Sequence, residues 1–324
     1  MPSTAPPNLV FLGCGNATRM HSNTLKSRPV TRFYASRNAE HAAEYNAKFG
    51  GAGSFGSYAE AIASPDINVV FVASPPDTHL ELTLAALRAG KHAIVEKPPF
   101  LRAADFAQVR EVAAANGVQV YVAENYYYKP LVTVLRDLLA AGAVGDPLFL
   151  AFNALKSQTV SGWRDESDVA GGGALYEGGI HWISLAASLG LPELTVHGSR
   201  PQPSERPERS MLVTLTYGSG PVGSLYYSWE VPSLFKGLRI SRIWGREGSI
   251  TFESNGLFVL VRGRRKQVLF PGLRDIAGYG AMFDDFLRSM RDGDKPAYDL
   301  DLAERDLRLV EQAYATAGVG HTTE

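Results

Sequence analysis

The chain has 324 residues, its 32 Lys and Arg nearly balance its 33 Asp and Glu, and 45% of it is hydrophobic. That length exceeds what one core usually fills and indicates two domains, while the even charge excludes the basic surface that nucleic-acid binding needs. One cysteine, Cys14, excludes an intramolecular disulfide and a cysteine-rich metal site, and no apolar run is long enough to span a membrane, so the expectation is a cytoplasmic protein with neither membrane nor nucleic acid as partner.

The first residues, MPSTAPP, have neither the basic nor the long apolar region of an export signal and are expected to form a loose tail. Asn8 to Leu12 is short, apolar and bounded by turn residues, which marks a buried strand, and Gly13-Cys14-Gly15 follows it directly. There the first glycine allows a tight turn and the second lets a pyrophosphate approach the backbone. Asn16 and Ala17 then open a helix whose free amides attract the anion. Thr18 stands where the dinucleotide fingerprint has its third Gly or Ala, which loosens helix–strand packing. Cys14 is read as a small packing residue of the turn with no redox role.

The second strand, Thr31 to Ala35, ends in Ser36-Arg37-Asn38, where an NAD-selective site would carry a carboxylate against the ribose hydroxyls. A hydroxyl and a guanidinium suit a 2′-phosphate instead, so NADP is favoured over NAD. Asn38 is the expected cap of the next helix.

Helices and strands continue to alternate. Asn38 to Phe49 ends at Gly50, Thr78 to Ala89 opens with an expected capping box of Thr78 and Glu81, and Ala103 to Asn116 ends at Gly117. Between them Val69 to Ala73, Ala93 to Val95 and Val118 to Val122 read as buried strands, so residues 1–125 form a parallel sheet covered on both faces. The run His92 to Phe100, HAIVEKPPF, ends its apolar part in Glu96 and Lys97 and then in two prolines. Taken alone, this charged pair reads equally well as a solvated turn or as part of a site.

Residues 126–324 have another rhythm. A helix, Leu131 to Ala141, a strand, Leu148 to Leu155, a polar loop and a Gly-rich turn lead into a helix from Ala174 to Leu189. Strands follow with only turns between them: Leu194 to His197, Met211 to Tyr217, Val222 to Trp229, Leu238 to Trp244, Ser249 to Glu253, Leu257 to Val261 and Gln267 to Phe270. Their alternation indicates one open, mainly antiparallel sheet, and helices from Ala281 to Arg291 and Leu302 to Thr316 close the chain. The fold class is therefore α/β, with a parallel-sheet domain followed by an α/β domain carrying a large antiparallel sheet.

GCGNAT, ASR and SPPDTHLELTLAALRAGKHAIVEKP, followed in order by GAVGDPLFL, WRDESDVAGGGALYEGGIH, IWGREGSITFES and DGDKPAYDLDLAERDLRLVEQAY, resemble the Gfo/Idh/MocA oxidoreductases over nearly the whole chain. The resemblance implies a Rossmann domain, a second domain whose open sheet often makes the oligomer contact, and a substrate cleft between the two. It implies that Ser74, Pro75, Pro76 and His79 of the SPPDTH loop, with Glu96 and Lys97, belong to the cofactor site, and that Lys97 stands close to the nicotinamide. Glu96 would anchor the turn and Pro98 fix its backbone. Glu177 and His181 then occupy the family's acid/base positions, four apart and hence on one helix face. Relatives usually carry Asp where Glu177 stands, and commonly Asp where Ser184 stands.

Those residue types suit hydride transfer at a secondary alcohol or ketone. Histidine titrates near neutrality and can take or give the hydroxyl proton. Lys97 would stabilise charge on the same oxygen, and Glu177 would hold the imidazole tautomer. Asn125, Tyr126, Lys156, Trp163 and Arg164 are candidate substrate contacts, and for each of Tyr126, Tyr127 and Tyr128 packing is at least as good an explanation. The expected substrate is a sugar, cyclitol or keto-sugar, the expected assembly a homodimer or homotetramer, and no metal site is expected. Two alternatives stay open: a redox-neutral lyase or glycosidase that retains NAD(P) and works through a transient ketone, and a nucleotide-binding regulator without chemistry.

Overall fold

In the computed structural model, which describes residues 6–159, 169, 171–201, 207–232 and 238–318, the first half builds a six-stranded parallel sheet. Its strands are β1 (Asn8–Leu12), β2 (Thr31–Ala35), β3 (Gly53–Phe55), β4 (Val69–Val72), β5 (His92–Val95) and β6 (Val120–Val122). Their order, β3-β2-β1-β4-β5-β6, reverses direction between β1 and β4. Ligands of doubly wound sheets bind outside the carboxyl ends of strands at such a switch point. Val10, Phe11, Val70 and Phe71 are fully buried, as expected of central strands covered on both faces.

The connecting helices are α1 (Asn16–Thr24), α2 (Ala39–Phe49), α3 (Tyr58–Ala63), α4 (His79–Arg88) and α5 (Asp105–Asn116). Asn38 caps α2 as its residue type requires, accepting from the His41 amide at 3.2 Å. The expected capping box at Thr78 does not form. Thr78 has helical backbone angles, ends a short 3-10 turn (Pro76–Thr78), and donates its hydroxyl to the Pro75 carbonyl at 2.8 Å. The short elements β3 and α3 were not expected, since three half-exposed residues and a six-residue helix leave little apolar pattern.

The second half holds α6 (Pro130–Ala140), β7 (Pro147–Leu155), a π-helical turn (Leu175–Gly179) that runs into α7 (Ile180–Ala187), and then β8 (Leu194–Ser199), β9 (Ser210–Tyr217), β10 (Val222–Ser228), β11 (Ile240–Gly245), β12 (Gly248–Glu253), β13 (Val259–Arg262) and β14 (Lys266–Leu269). These form one eight-stranded sheet in the order β14-β13-β12-β11-β7-β10-β9-β8. It is antiparallel except where β7 pairs with β10. One face is buried; on the other, Phe149 stays 57% exposed beside its strand partners Val222 and Trp244, both also exposed.

The chain closes with α8 (Tyr279–Asp292) and α9 (Leu300–Thr316). Two compact units emerge, one of residues 1–124 with 282–304 and the other of residues 125–281 with 305–324. The stretch expected to be continuous over 126–324 is thus interrupted by 282–304. An aromatic face explains this: Phe283 packs edge-on against the ring of His21, and Phe286 lies 5.1 Å from the ring of Tyr121.

Candidate functional site

Within the first unit, the candidate nucleotide site lies where β1 and β4 end. Gly13 has φ +115°, and a Cβ there would meet the Ala73 carbonyl oxygen at 2.7 Å, so both conformation and space require glycine. A Cβ on Gly15 would meet nothing within 4 Å, which leaves open space above the turn. No side chain caps α1, and no acidic residue stands in its first turn. Free amides, a positive helix end and open space together fit a pyrophosphate. Thr18, expected to loosen the packing, is fully buried and donates its hydroxyl to the Gly13 carbonyl at 2.6 Å, so its side chain pins the turn.

Gly15 and Asn16 are exposed at that opening, with Ala17 half-buried behind them. Cys14 packs its sulfur toward the Ala35 carbonyl, and burial pushes its thiol up to about 11, far from a reactive thiolate. At the end of β2, the Ser36 hydroxyl accepts from the Asn38 amide and Arg37 is exposed.

The EKPP turn follows β5. Its Lys97–Pro98 peptide is cis, and Lys97 is half-buried at the strand's carboxyl end. Glu96 is buried and holds two partners: Oε1 accepts from His21 Nε2 of α1, and Oε2 accepts from the Lys97 amide at 3.1 Å. Burial opposes the Glu96 charge, but His21, Lys97 and His79 outweigh it and hold the carboxyl below its usual range. The helix that opens at the glycine turn is therefore fastened to the turn that carries Lys97. Sequence reasoning missed His21, since a lone histidine on a weakly patterned helix gives no local signal.

His79 is buried, with Nδ1 2.9 Å from the Pro98 carbonyl and Nε2 2.9 Å from the Ser74 carbonyl. Burial pushes its pKa down, against the pull of those oxygens and of Glu96. Its imidazole thus ties the SPPDTH loop to the EKPP turn. Ser74 shares its hydroxyl with Thr78 at 2.7 Å, and Pro75 and Pro76 begin the 3-10 turn between them.

Within the second unit, the expected acid/base residues lie on the helix that starts at Ala174. Glu177 is buried in the π-turn, a helix irregularity frequent at functional sites, and His181 is half-buried in the first turn of α7. The winding is therefore not the uniform α-helix from Ala174 to Leu189 that the sequence suggested. A side chain at Gly178 would collide with the Tyr227 hydroxyl, which accepts from Trp229 Nε1 at 2.9 Å. Lys156 places its ammonium 6.0 Å from the Trp229 ring. Ser184 is fully buried.

Tyr126 stacks on His181, centroid to centroid at 4.5 Å with the ring planes nearly parallel at 13°, and the ammonium of the buried Lys129 lies 4.4 Å from the Tyr126 ring. One candidate substrate contact is thus a platform for the candidate acid/base. Asn125, also named as a substrate contact, is buried and donates its side-chain amide to the Ala277 carbonyl at 2.7 Å. Trp163 and Arg164 lie outside the described residues. Among the described residues no cluster of His, Cys, Asp and Glu could hold a metal ion, and no helix is long and apolar enough to cross a membrane.

Comparisons with known proteins bear on the family and the fold. Residues 8–124 match the model of the oxidoreductase family with an NAD-binding Rossmann fold, and residues 132–251 match the GFO/IDH/MocA C-terminal domain. Levoglucosan dehydrogenase of Pseudarthrobacter phenanthrenivorans is 31% identical over 247 residues, 70% of this chain and 63% of that protein. 1,5-Anhydro-D-fructose reductase of Ensifer adhaerens is 33% identical over 150 residues, 45% of this chain and 44% of that protein. The matched stretches thus span less than two thirds of either relative. A solved structure of levoglucosan dehydrogenase, in complex with NADH and levoglucosan, superposes with a TM-score of 0.83 over 97% of both chains at 22% identity, a likeness of fold.

Proposed function

This chain belongs to the Gfo/Idh/MocA oxidoreductases, and we propose that it transfers a hydride between a nicotinamide dinucleotide and a secondary alcohol or ketone of a carbohydrate. The observation that carries this reading is the fastening of the Lys97 turn to the glycine-turn helix through His21 and Glu96. It fixes the backbone of the half-buried Lys97 at the carboxyl end of β5, on the side of the sheet where dinucleotides bind.

When bound, the nicotinamide supplies the hydride chemistry. The chain's own residues bind, orient and move the proton. Amides at the start of α1 hold the pyrophosphate, and Arg37 with Ser36 faces the adenosine ribose, which favours NADP. Lys97 donates to the substrate oxygen and stabilises negative charge on it. His181 takes the hydroxyl proton in oxidation and returns it in reduction, oriented by the Tyr126 ring against which it stacks, with Glu177 setting its tautomer. The named relatives are a levoglucosan dehydrogenase and a 1,5-anhydro-D-fructose reductase, and a ring hydroxyl or ketone of a pyranose is the substrate class we assign here. The exposed apolar face around Phe149, Val222 and Trp244 supports a homo-oligomer.

The test is to mix purified protein with NADPH or NADH and a panel of keto-sugars, following absorbance of the reduced nicotinamide. Net consumption of reduced cofactor supports the reading. Product formed without net consumption contradicts it and points to redox-neutral chemistry.

A further inference from the structure

Every helix begins with amides that have no partner within the helix, and a helix that carries reactive side chains needs them fixed. No side chain within the helix caps the Leu175–Gly179 turn. Its opening amides are instead taken by two residues distant in sequence. The Gly173 amide donates to the Tyr314 hydroxyl oxygen at 2.9 Å, and the Ala174 amide to the Glu208 backbone carbonyl at 2.7 Å. The Leu175 amide donates to Glu208 Oε1 at 2.8 Å, and the Tyr176 amide to the Tyr314 oxygen at 3.2 Å. Tyr314 completes the arrangement by donating its proton to Glu208 Oε1 at 2.7 Å.

Both capping side chains are buried, Glu208 at 5% and Tyr314 at 2% exposure, so water does not compete for these amides. The glycines just before the helix are shaped to them. A Cβ at Gly173 would overlap the Glu208 carboxylate, and one at Gly172 would stand 3.1 Å from the Tyr314 hydroxyl and closer still to the Tyr176 side chain. The Gly-rich run before Ala174 is therefore a seat for the cap. Within the helix, the Glu177 amide continues the chain of bonds by donating to the Gly173 carbonyl at 3.0 Å.

We propose that Glu208 and Tyr314 are positioning residues for the acid/base helix: by capping its first amides they set where Glu177 and His181 stand. This rests on the assignment of Glu177 and His181 made above. Neither residue touches the reacting atoms. Their effect runs through the backbone, where a displacement of about 1 Å at a reacting group can cost on the order of 100-fold in rate.

The experiment compares Glu208→Gln, Glu208→Ala and Tyr314→Phe with the parent chain. Amide hydrogen exchange is measured by mass spectrometry on peptides covering residues 171–182, beside kcat and the Kd for reduced cofactor. Tyr314→Phe keeps the ring but removes the acceptor, and Glu208→Gln keeps the acceptor. The expected result is faster exchange confined to 171–182 in Glu208→Ala and Tyr314→Phe, with kcat lowered by about 10- to 100-fold and cofactor Kd within about threefold of the parent. Glu208→Gln should restore protection and most of kcat. If Glu208→Ala does not fold, Tyr314→Phe and Glu208→Gln decide. Unchanged exchange at 171–182, or a Glu208→Gln variant as impaired as Tyr314→Phe, overturns the proposal. Exchange needs no substrate, so a fully active His181→Ala variant would refute the functional reading while leaving the exchange result to stand.

Discussion

His21 and Glu96, 75 positions apart in sequence, meet in a buried hydrogen bond that joins the first helix of the Rossmann unit to the turn bearing Lys97. His21 is fully buried, its ring 4.8 Å from that of Phe71, so the bond is shielded from water and salt. One oxygen of the carboxylate faces the nucleotide helix while the other fixes the Lys97 backbone.

Replacing His21 with leucine would leave Glu96 buried without that partner. The expected loss is about 3 kcal/mol of stability, the range for an orphaned buried charge. The pH dependence has a sign. Glu96 has a folded pKa held below its ordinary value, so its contribution is present above the ordinary carboxylate range and disappears as pH falls through the folded value. Urea denaturation of parent and His21→Leu should therefore show a gap at pH 7 that narrows below about pH 4. A gap absent at pH 7 would show that the bond is energetically idle.

Arg37→Asp tests the cofactor preference. Removing a cation and adding a carboxylate at the end of β2 should weaken NADPH binding at least about tenfold more than NADH binding, as expected for one charge-assisted hydrogen bond. Isothermal titration with both cofactors measures this. Equal losses would remove NADP selectivity from Arg37.

Glu208 supplies a second pH signature. Burial pushes its carboxyl up to about 7, despite hydrogen bonds from the Leu175 amide and the Tyr314 hydroxyl. With the folded pKa above the unfolded one, stability is greatest below the ordinary carboxylate pKa, falls as pH rises through the interval, and levels off above about 7. Glutamine does not titrate. Relative to the parent, Glu208→Gln should gain stability between pH 4.5 and 7.5 by up to about 3 kcal/mol. Parallel thermal melts across that range, with a constant difference, would contradict the assigned shift.

Phe149→Asp tests the apolar sheet face. Phe149 pairs with Val222 on one side and Trp244 on the other, and all three are exposed. A charge there should convert an oligomer into a monomer without unfolding it, since the side chain is outside the core. Light scattering of parent and variant at micromolar concentration gives the answer. A parent that is already monomeric would rule the oligomer out.

Much of the Rossmann unit was legible because its signals are local. Asn8 to Leu12 and Thr31 to Ala35 are short runs, apolar or β-branched, between turn residues, and both form strands with those limits. Asn38 caps α2 as its chemistry dictates. Short or long-range features were not legible. β3 is three residues long and half-exposed, so its pairing with β2 and not its pattern makes it a strand. At Thr78, the Pro75 carbonyl captures the hydroxyl that a capping box would have used. The cap on the helix that carries Glu177 and His181 joins Gly173 and Leu175 to residues 141 and 33 positions away, a distance at which sequence spacing carries no information.

The most direct test of the proposed hydride transfer measures single-turnover rates for Lys97→Met, His181→Ala and the double variant, with the keto-sugar found in the cofactor screen. Each single change should lower the rate by about two to four orders of magnitude, the range for one positioned acid/base or oxyanion donor, with cofactor affinity nearly unchanged. The double variant should lose less than the product of the two, because groups acting on one oxygen do not contribute independently. A Lys97→Met variant with near-parental turnover would contradict the account.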